Sequence, residues 1–282
     1  MKQLTANVFV ETGKPGCNHS FVVTKEGVVC IDTPYRPTDA VAWRDEVKKH
    51  GEVRYVIQCE PHADHVTGNP FLPGTLVAHE LTRQAMRALT LDQIKERVRA
   101  IDPDGMRLLE GYRLRLPGIT FSQSMTLHLG DHSFILMNLP GHTAGQTAVY
   151  VPQERVVFTG DNVTFKVQPV MREAIPEEWP GSIRFLQSLD VDKVVPGHGE
   201  VCDRAYLREW EAFLREFLST VQGAIERGWT KEQAQEKVSF LDRYPMSPGN
   251  EARGPETSRA NVGVIWDALI ATRKMTEHPP TA

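Results

Sequence analysis

The chain has 282 residues, 40% of them apolar, which is enough to bury a full core in one large domain or two small ones. Its 32 Lys and Arg against 36 Asp and Glu leave a net charge of −4 with the basic residues scattered, which gives no footing for a nucleic-acid binder or a membrane-surface protein. No apolar run is long enough to span a membrane, and Met1 to Asn7 lacks the apolar stretch of a secretory signal, so the chain reads as cytoplasmic.

In chain order, Asn7 to Glu11, Ser20 to Thr24 and Val28 to Ile31 are β-rich runs, with a hairpin turn at Glu26-Gly27. Thr38 is expected to cap a helix running to about Lys49, and Arg54 to Gln58 returns as a strand. Val77 to Ile101 reads as a strand end followed by a charged helix. From Gly118 the strand signals repeat: Met125 to Leu129, Ser133 to Leu139, Thr147 to Val151 and Val156 to Phe158. Residues 162 to 181 carry Pro, Phe165, Met171 and Trp179 with weak periodicity, which reads as a long loop and a candidate lid. Such a lid would favour an apolar portion of a substrate, and core packing is the alternative. Beyond Asp203 the chain turns helical through Tyr206 to Arg227, Lys231 to Val238 and about Glu256 to Lys274, and His278 to Ala282 read as a disordered end. The stripe Trp210, Phe213, Leu214, Phe217, Leu218 and Val221 is either core or a homodimer contact.

Four polar clusters begin where β-rich runs end: Glu60-x-His62-x-Asp64-His65, Gly141-His142-Thr143, Gly160-Asp161 and Pro196-Gly197-His198-Gly199. Imidazoles and carboxylates gathered at strand ends suit a divalent metal. Residues two apart in an extended loop point the same way, so Glu60 and His62 can reach one cation while Asp64 and His65 turn toward a second. Two cations about 3.5–4 Å apart need a shared carboxylate, and Asp161 is the natural bridge. Any one of these histidines alone would more simply be a solvated or hydrogen-bonded side chain; their order and placement carry the inference.

Together the four clusters resemble the metallo-β-lactamase superfamily of dinuclear metallohydrolases. The similarity runs from about residue 6 to 200 and includes Ile31-Asp32-Thr33 and the Leu139–Thr143 and Phe158–Asp161 segments. It implies an α/β fold, an αββα sandwich over residues 1–202 with a C-terminal helical extension, 203–282, packed on the same domain. By position it implies that Glu60, His62 and His142 hold a first metal, that Asp64, His65 and His198 hold a second, and that Asp161 bridges them. It further implies that Asp32 orients the metal loop through hydrogen bonds. The cofactors would be two divalent ions, Zn foremost, with Mn or Fe possible.

One position departs from the family, whose motif begins with His where this chain has Glu60. Either Glu60 has drifted and the first site is weak or empty, or it is itself an oxygen ligand. With Glu60, Asp64 and Asp161 ionised, a dinuclear site holding a bridging hydroxide is neutral, which makes the first metal a poorer Lewis acid and tolerates harder ions. Cys59 beside it reads as packing, and Cys17, Cys30 and Cys202, with no C-x-x-C pair, as small buried residues.

The chemistry so implied is hydrolysis of a small molecule, with a metal-bridging hydroxide attacking a lactone, ester, thioester, amide or β-lactam carbonyl. Asp64 would be the catalytic residue, orienting that hydroxide or passing a proton to the leaving group. The alternatives are an iron-dependent oxidoreductase on the same scaffold and a non-catalytic binder with a partly degraded site.

Overall fold

The computed structural model describes residues 1–247 and 250–277, so the expected disordered end at His278 to Ala282 lies outside the described residues. Two sheets form the body. The first holds β1 (Lys2–Gln3), β2 (Val8–Glu11), β3 (His19–Thr24), β4 (Gly27–Ile31), β5 (Val53–Gln58), β6 (Thr75–His79) and β7 (Ile119–Phe121) in sequence order. Its pairs are antiparallel up to β4 and parallel from β4 to β7. The second holds β8 (Ser124–Leu129), β9 (His132–Asn138), β10 (Thr147–Val151), β11 (Val156–Phe158) and β12 (Lys193–Val195), in the order β12-β11-β10-β9-β8.

Parallel neighbours need crossovers, and helices supply them. α1 (Pro37–Val47) links β4 to β5, α2 (Ala63–Val66) links β5 to β6, and α3 (Glu80–Met86) with α4 (Leu91–Ile101) link β6 to β7. α5 (Trp179–Gln187) links β11 to β12, and α6 (Arg204–Glu226), α7 (Lys231–Lys237) and α8 (Gly254–Glu277) follow.

Strand alternation sets the layers. In β4, Val29 and Ile31 face an inter-sheet core that includes Val8, Ile57, Phe134, Leu136 and Phe158. Val28 and Cys30 face the other way, onto Trp43 and Val47 of α1. On the far side Met137, Ala148, Val157 and Val194 meet α5, α6 and α8 in one apolar cluster. The result is helix, sheet, sheet, helix, with the C-terminal helices sharing their core with the second sheet. The α6 stripe is consumed in this packing: Trp210, Phe213 and Phe217 are fully buried within the chain.

Three expectations need correction. Thr38 does not cap α1; its amide and hydroxyl both donate to Asp102 Oδ2 at 2.9 Å, and the cap position is Arg36, whose side chain makes no capping bond. The charged helix after β6 is two helices, because Thr90 restarts the chain with a capping box on Gln93. Residues 163–178 form the expected long loop, but the bulky side chains do not make it an aromatic lid: Met171 is buried in the core, and Trp179 opens α5 and is buried there too.

Candidate metal centre

β9, β11 and β12 run in the same direction, so the loops after all three leave the second sheet at one edge. β4 and β5 do the same in the first sheet. Backbone bonds close the two edges on each other: Thr147 N–H donates to the Cys59 carbonyl at 2.8 Å, and Asn18 N–H to the Gly197 carbonyl at 2.7 Å. All four polar clusters therefore meet.

The seven side chains named from sequence converge in two groups. Glu60, His62 and His142 form one: Glu60 Oε2 lies 2.5 Å from His62 Nδ1 and 3.2 Å from His142 Nε2, and the two ring nitrogens are 3.1 Å apart. Asp64, His65 and His198 form the other, with Asp64 Oδ2 3.3 Å from His198 Nε2 and 3.9 Å from His65 Nε2. Asp161 stands between them, its Oδ2 3.2 Å from His198 Nε2 and 3.7 Å from His142 Nε2, and its Oδ1 3.3 Å from His65 Nε2. Either triad has the composition and spread of a cation site.

Asp32 stands behind this set. It follows β4 with a left-handed backbone, φ +53°, that aims its carboxylate across the sheet edge. Oδ1 accepts from Cys59 N–H at 2.8 Å and Oδ2 from His65 Nδ1–H at 3.0 Å. The second bond fixes the tautomer and leaves the Nε2 lone pair free, the usual arrangement for a ligating imidazole. His65 Nε2 and Asp161 Oδ1 are both buried and without hydrogen-bond partners among the described residues. Two electron-rich atoms left bare and facing each other fit a cation that takes both.

Electrostatics agree. Burial alone would push the Glu60 carboxyl up, yet the His65 and His142 rings hold it well below the carboxylate range. Burial opposes charging of His62, but Glu60 raises it to about 9; Asp161 and Asp64 raise His198 against burial to about 10. Burial pushes the Cys59 thiol up, and the residue sits in the inter-sheet core, so Cys59 packs and carries no thiolate.

Exposure gives the site a direction. The side chains of His62, Asp64 and His198 are 29%, 25% and 23% exposed, whereas Glu60 and His65 are 0% exposed. Solvent therefore reaches the cluster across His62, Asp64 and His198, with Glu173 Oε2 on that rim 3.8 Å from His62 Nε2.

Sequence reasoning missed the supports. Asn162 Oδ1 accepts from the His142 backbone N–H at 2.8 Å, while its carbonyl accepts from the indole N–H groups of Trp179 and Trp210. Gln146 and Asp161 N–H both donate to Glu60 Oε1. The one available hint for Asn162 was its place directly after Gly160-Asp161.

A family model described as "Metallo-beta-lactamase superfamily" matches residues 12–198, and the chain belongs to that superfamily, whose members are metal-dependent hydrolases. Among curated relatives, the 2,4-dinitroanisole O-demethylase subunit alpha of Nocardioides sp. (strain JS1661) is 28% identical over 207 residues, 71% of this chain and 57% of that protein, so the chain spans little more than half of its length. Metallo-beta-lactamase type 2 of Pseudomonas aeruginosa is 25% identical over 232 residues, 76% of this chain and 84% of that one. Among solved structures, the metallo-beta-lactamase from Pontibacter korlensis superposes with a TM-score of 0.59 at 23% identity, covering 76% of this chain and 97% of that one. The stereoselective inverting sec-alkylsulfatase Pisa1 from Pseudomonas sp. superposes at 0.71 and 14% identity, covering 94% of this chain and 49% of that one. Both have the fold of this chain. The chain is thus an enzyme of the metallo-β-lactamase fold, and among its described residues no helix is long and apolar enough to cross a membrane.

Proposed function

We propose that the chain is a dinuclear hydrolase of small molecules. Glu60, His62 and His142 hold one divalent cation, Asp64, His65 and His198 hold the second, and Asp161 is shared, with Zn the first candidate and Mn or Fe the others. The observation that carries this reading is the position of Asp161 Oδ2 between the two triads, 3.2 Å from a nitrogen of one and 3.7 Å from a nitrogen of the other. When bound, such a pair supplies Lewis acidity and a water acidified toward neutral pH.

The chain's own groups divide the remaining work. His65, with Asp32 behind it, and buried Glu60 fix the floor. Asp64 is the carboxylate of the three with the greatest exposure, 25% against 11% for Asp161 and 0% for Glu60, so it meets both the attacking oxygen and the leaving group. It orients the first and carries a proton to the second. Glu173 on the rim disfavours an anionic substituent at the His62 side.

Metal analysis of protein purified without added metal tests the reading. Two Zn or Mn per chain support it; a single Fe with redox activity supports the oxidoreductase alternative; none after repletion sinks both. A panel of lactone, thioester, aryl ester, β-lactam and, from the sulfatase likeness, alkyl sulfate then assigns the bond cleaved, each compared with Asp64→Ala. Turnover by Asp64→Ala equal to the unmodified protein removes Asp64 from the chemistry.

A further inference from the structure

Glu60 is held in a way that a histidine at the same position would not need. Its Oε1 accepts two hydrogen bonds, from Asp161 N–H at 2.9 Å and from Gln146 Nε2–H at 3.2 Å, and lies 3.6 Å from His65 Nε2 on the second-site side, while toward the first site Oε2 alone faces His62 and His142. Gln146 is itself fixed. It is fully buried, its Nε2 donates a second bond to the Thr159 carbonyl at 3.3 Å, and its Oε1 accepts from Thr143 Oγ1 at 3.4 Å. The Thr159 carbonyl can only accept, so the amide must turn its NH₂ toward Glu60. Gly160, at φ +50°, gives it room, since a Cβ there would overlap Gln146 Nε2. Nothing in the hydrolytic scheme uses Gln146, yet it is tied to the one ligand position at which this chain departs from its family.

The geometry points to Gln146 as a positioning residue that, together with Asp161 N–H, turns Glu60 Oε1 away from His62 and His142 and so leaves the first site a single oxygen of Glu60, setting that site to prefer a cation of low coordination number. This rests on the reading of Glu60 as a ligand. A carboxylate free to swing offers two oxygens, which suits cations that take six or more oxygen ligands; one that offers a single oxygen beside two imidazoles suits a four-coordinate ion such as Zn. Gln146 is neutral, so it pins the carboxylate without adding charge to a site where three carboxylates already face the cations.

The test measures metal binding rather than turnover. Zn and Mn affinities of the first site are obtained by chelator competition for the full chain, for Gln146→Met, which keeps length and removes the donor, and for Gln146→Leu, which keeps an uncharged branched side chain and removes it. Both variants are expected to weaken Zn at the first site about 10–100-fold, the usual cost of losing a partner of a ligand, and to lower the Zn-to-Mn affinity ratio. In a Glu60→His background, where there is no Oε1 to hold, Gln146→Met is expected to change neither. Thermal unfolding of the metal-free variants confirms that they are folded, and if Gln146→Met is not, Gln146→Leu carries the test. An unchanged ratio in a folded variant overturns the proposal, and so does an equal loss in the Glu60→His background, which would make Gln146 a general prop. If Glu60→Ala binds two cations as well as the unmodified protein, the ligand reading itself falls, a result distinct from either.

Discussion

At the residue scale, Asp32 is the side chain on which the site's order depends most. It is 2% exposed, and its two oxygens hold the start of the metal loop and the ring of His65. Asp32→Ala is expected to lower affinity at the second cation about 10–100-fold by freeing that ring, and Asp32→Asn, which can still accept from Cys59 N–H, to lower it less. Chelator competition resolves the two. Glu60→Ala should leave one cation per chain and Glu60→His two, counted by metal analysis; two cations in Glu60→Ala contradict the assignment. His19, which faces Trp43 and not the polar cluster, contributes to acid stability. It is 2% exposed, edge-on to Trp43 at 4.5 Å, and burial pushes its pKa down to about 4. The folded protein thus refuses a proton that the unfolded chain accepts at about 6.5, so stability is full above about pH 6.5 and falls as pH drops toward 4, by at most about 3 kcal/mol. Denaturant unfolding of His19→Gln should lack that part of the slope. The clustered histidines could be named from sequence because short motifs at strand ends carry them. Gln146 and Asn162 could not, because a lone amide has no local signature and its partners lie 86 and 20 residues away.

At the element scale, strands were easier to place than helices. β10 and β11 stand where the pattern put them, since β-branched runs bounded by Gly, Pro or charge leave few alternatives. The first turn of α5, Trp179 to Gly181, reads as the end of a loop because Pro180 and Gly181 carry no helical signal, yet Pro in a first turn removes only an N–H that would be unpaired anyway. The short edge strands β1 and β7 exist because neighbours pair with them, a fact no local run of two or three residues can announce. Two substitutions separate packing from capping. Trp179→Ala empties a fully buried site against His142 and should cost about 3–5 kcal/mol and weaken first-site metal retention. Thr90→Ala removes the α4 cap and should cost about 1 kcal/mol with metal binding untouched. Thermal unfolding with metal counts on the same samples checks both.

At the scale of the whole molecule, the boundary near residue 202 divides the sequence but not the core. Buried residues of β9, β10, β11 and β12 share one cluster with Trp179, Trp210, Phe213, Phe217 and Ile265. A chain ending at residue 202 would expose that cluster and is expected to be insoluble; soluble, metal-binding 1–202 protein would show that the helices are an accessory. The order of layers followed from the family resemblance that the motifs carry, whereas the fate of the helical tail depended on which apolar surface the second sheet left open.

Asn162 gives that architecture a reporter. A single peptide unit receives an indole from α5 and another from α6, and its side chain grips the amide of a histidine at the catalytic edge. Any event that lifts α6 from its seat, whether heat, a proteolytic nick or a crowded mutation at Trp210, is therefore expected to slacken the His142 turn at the same moment. Escape of the first-site ion should then keep time with undocking of the helix, and a colour-changing chelator in solution would register the loosening of a segment that never touches the ion.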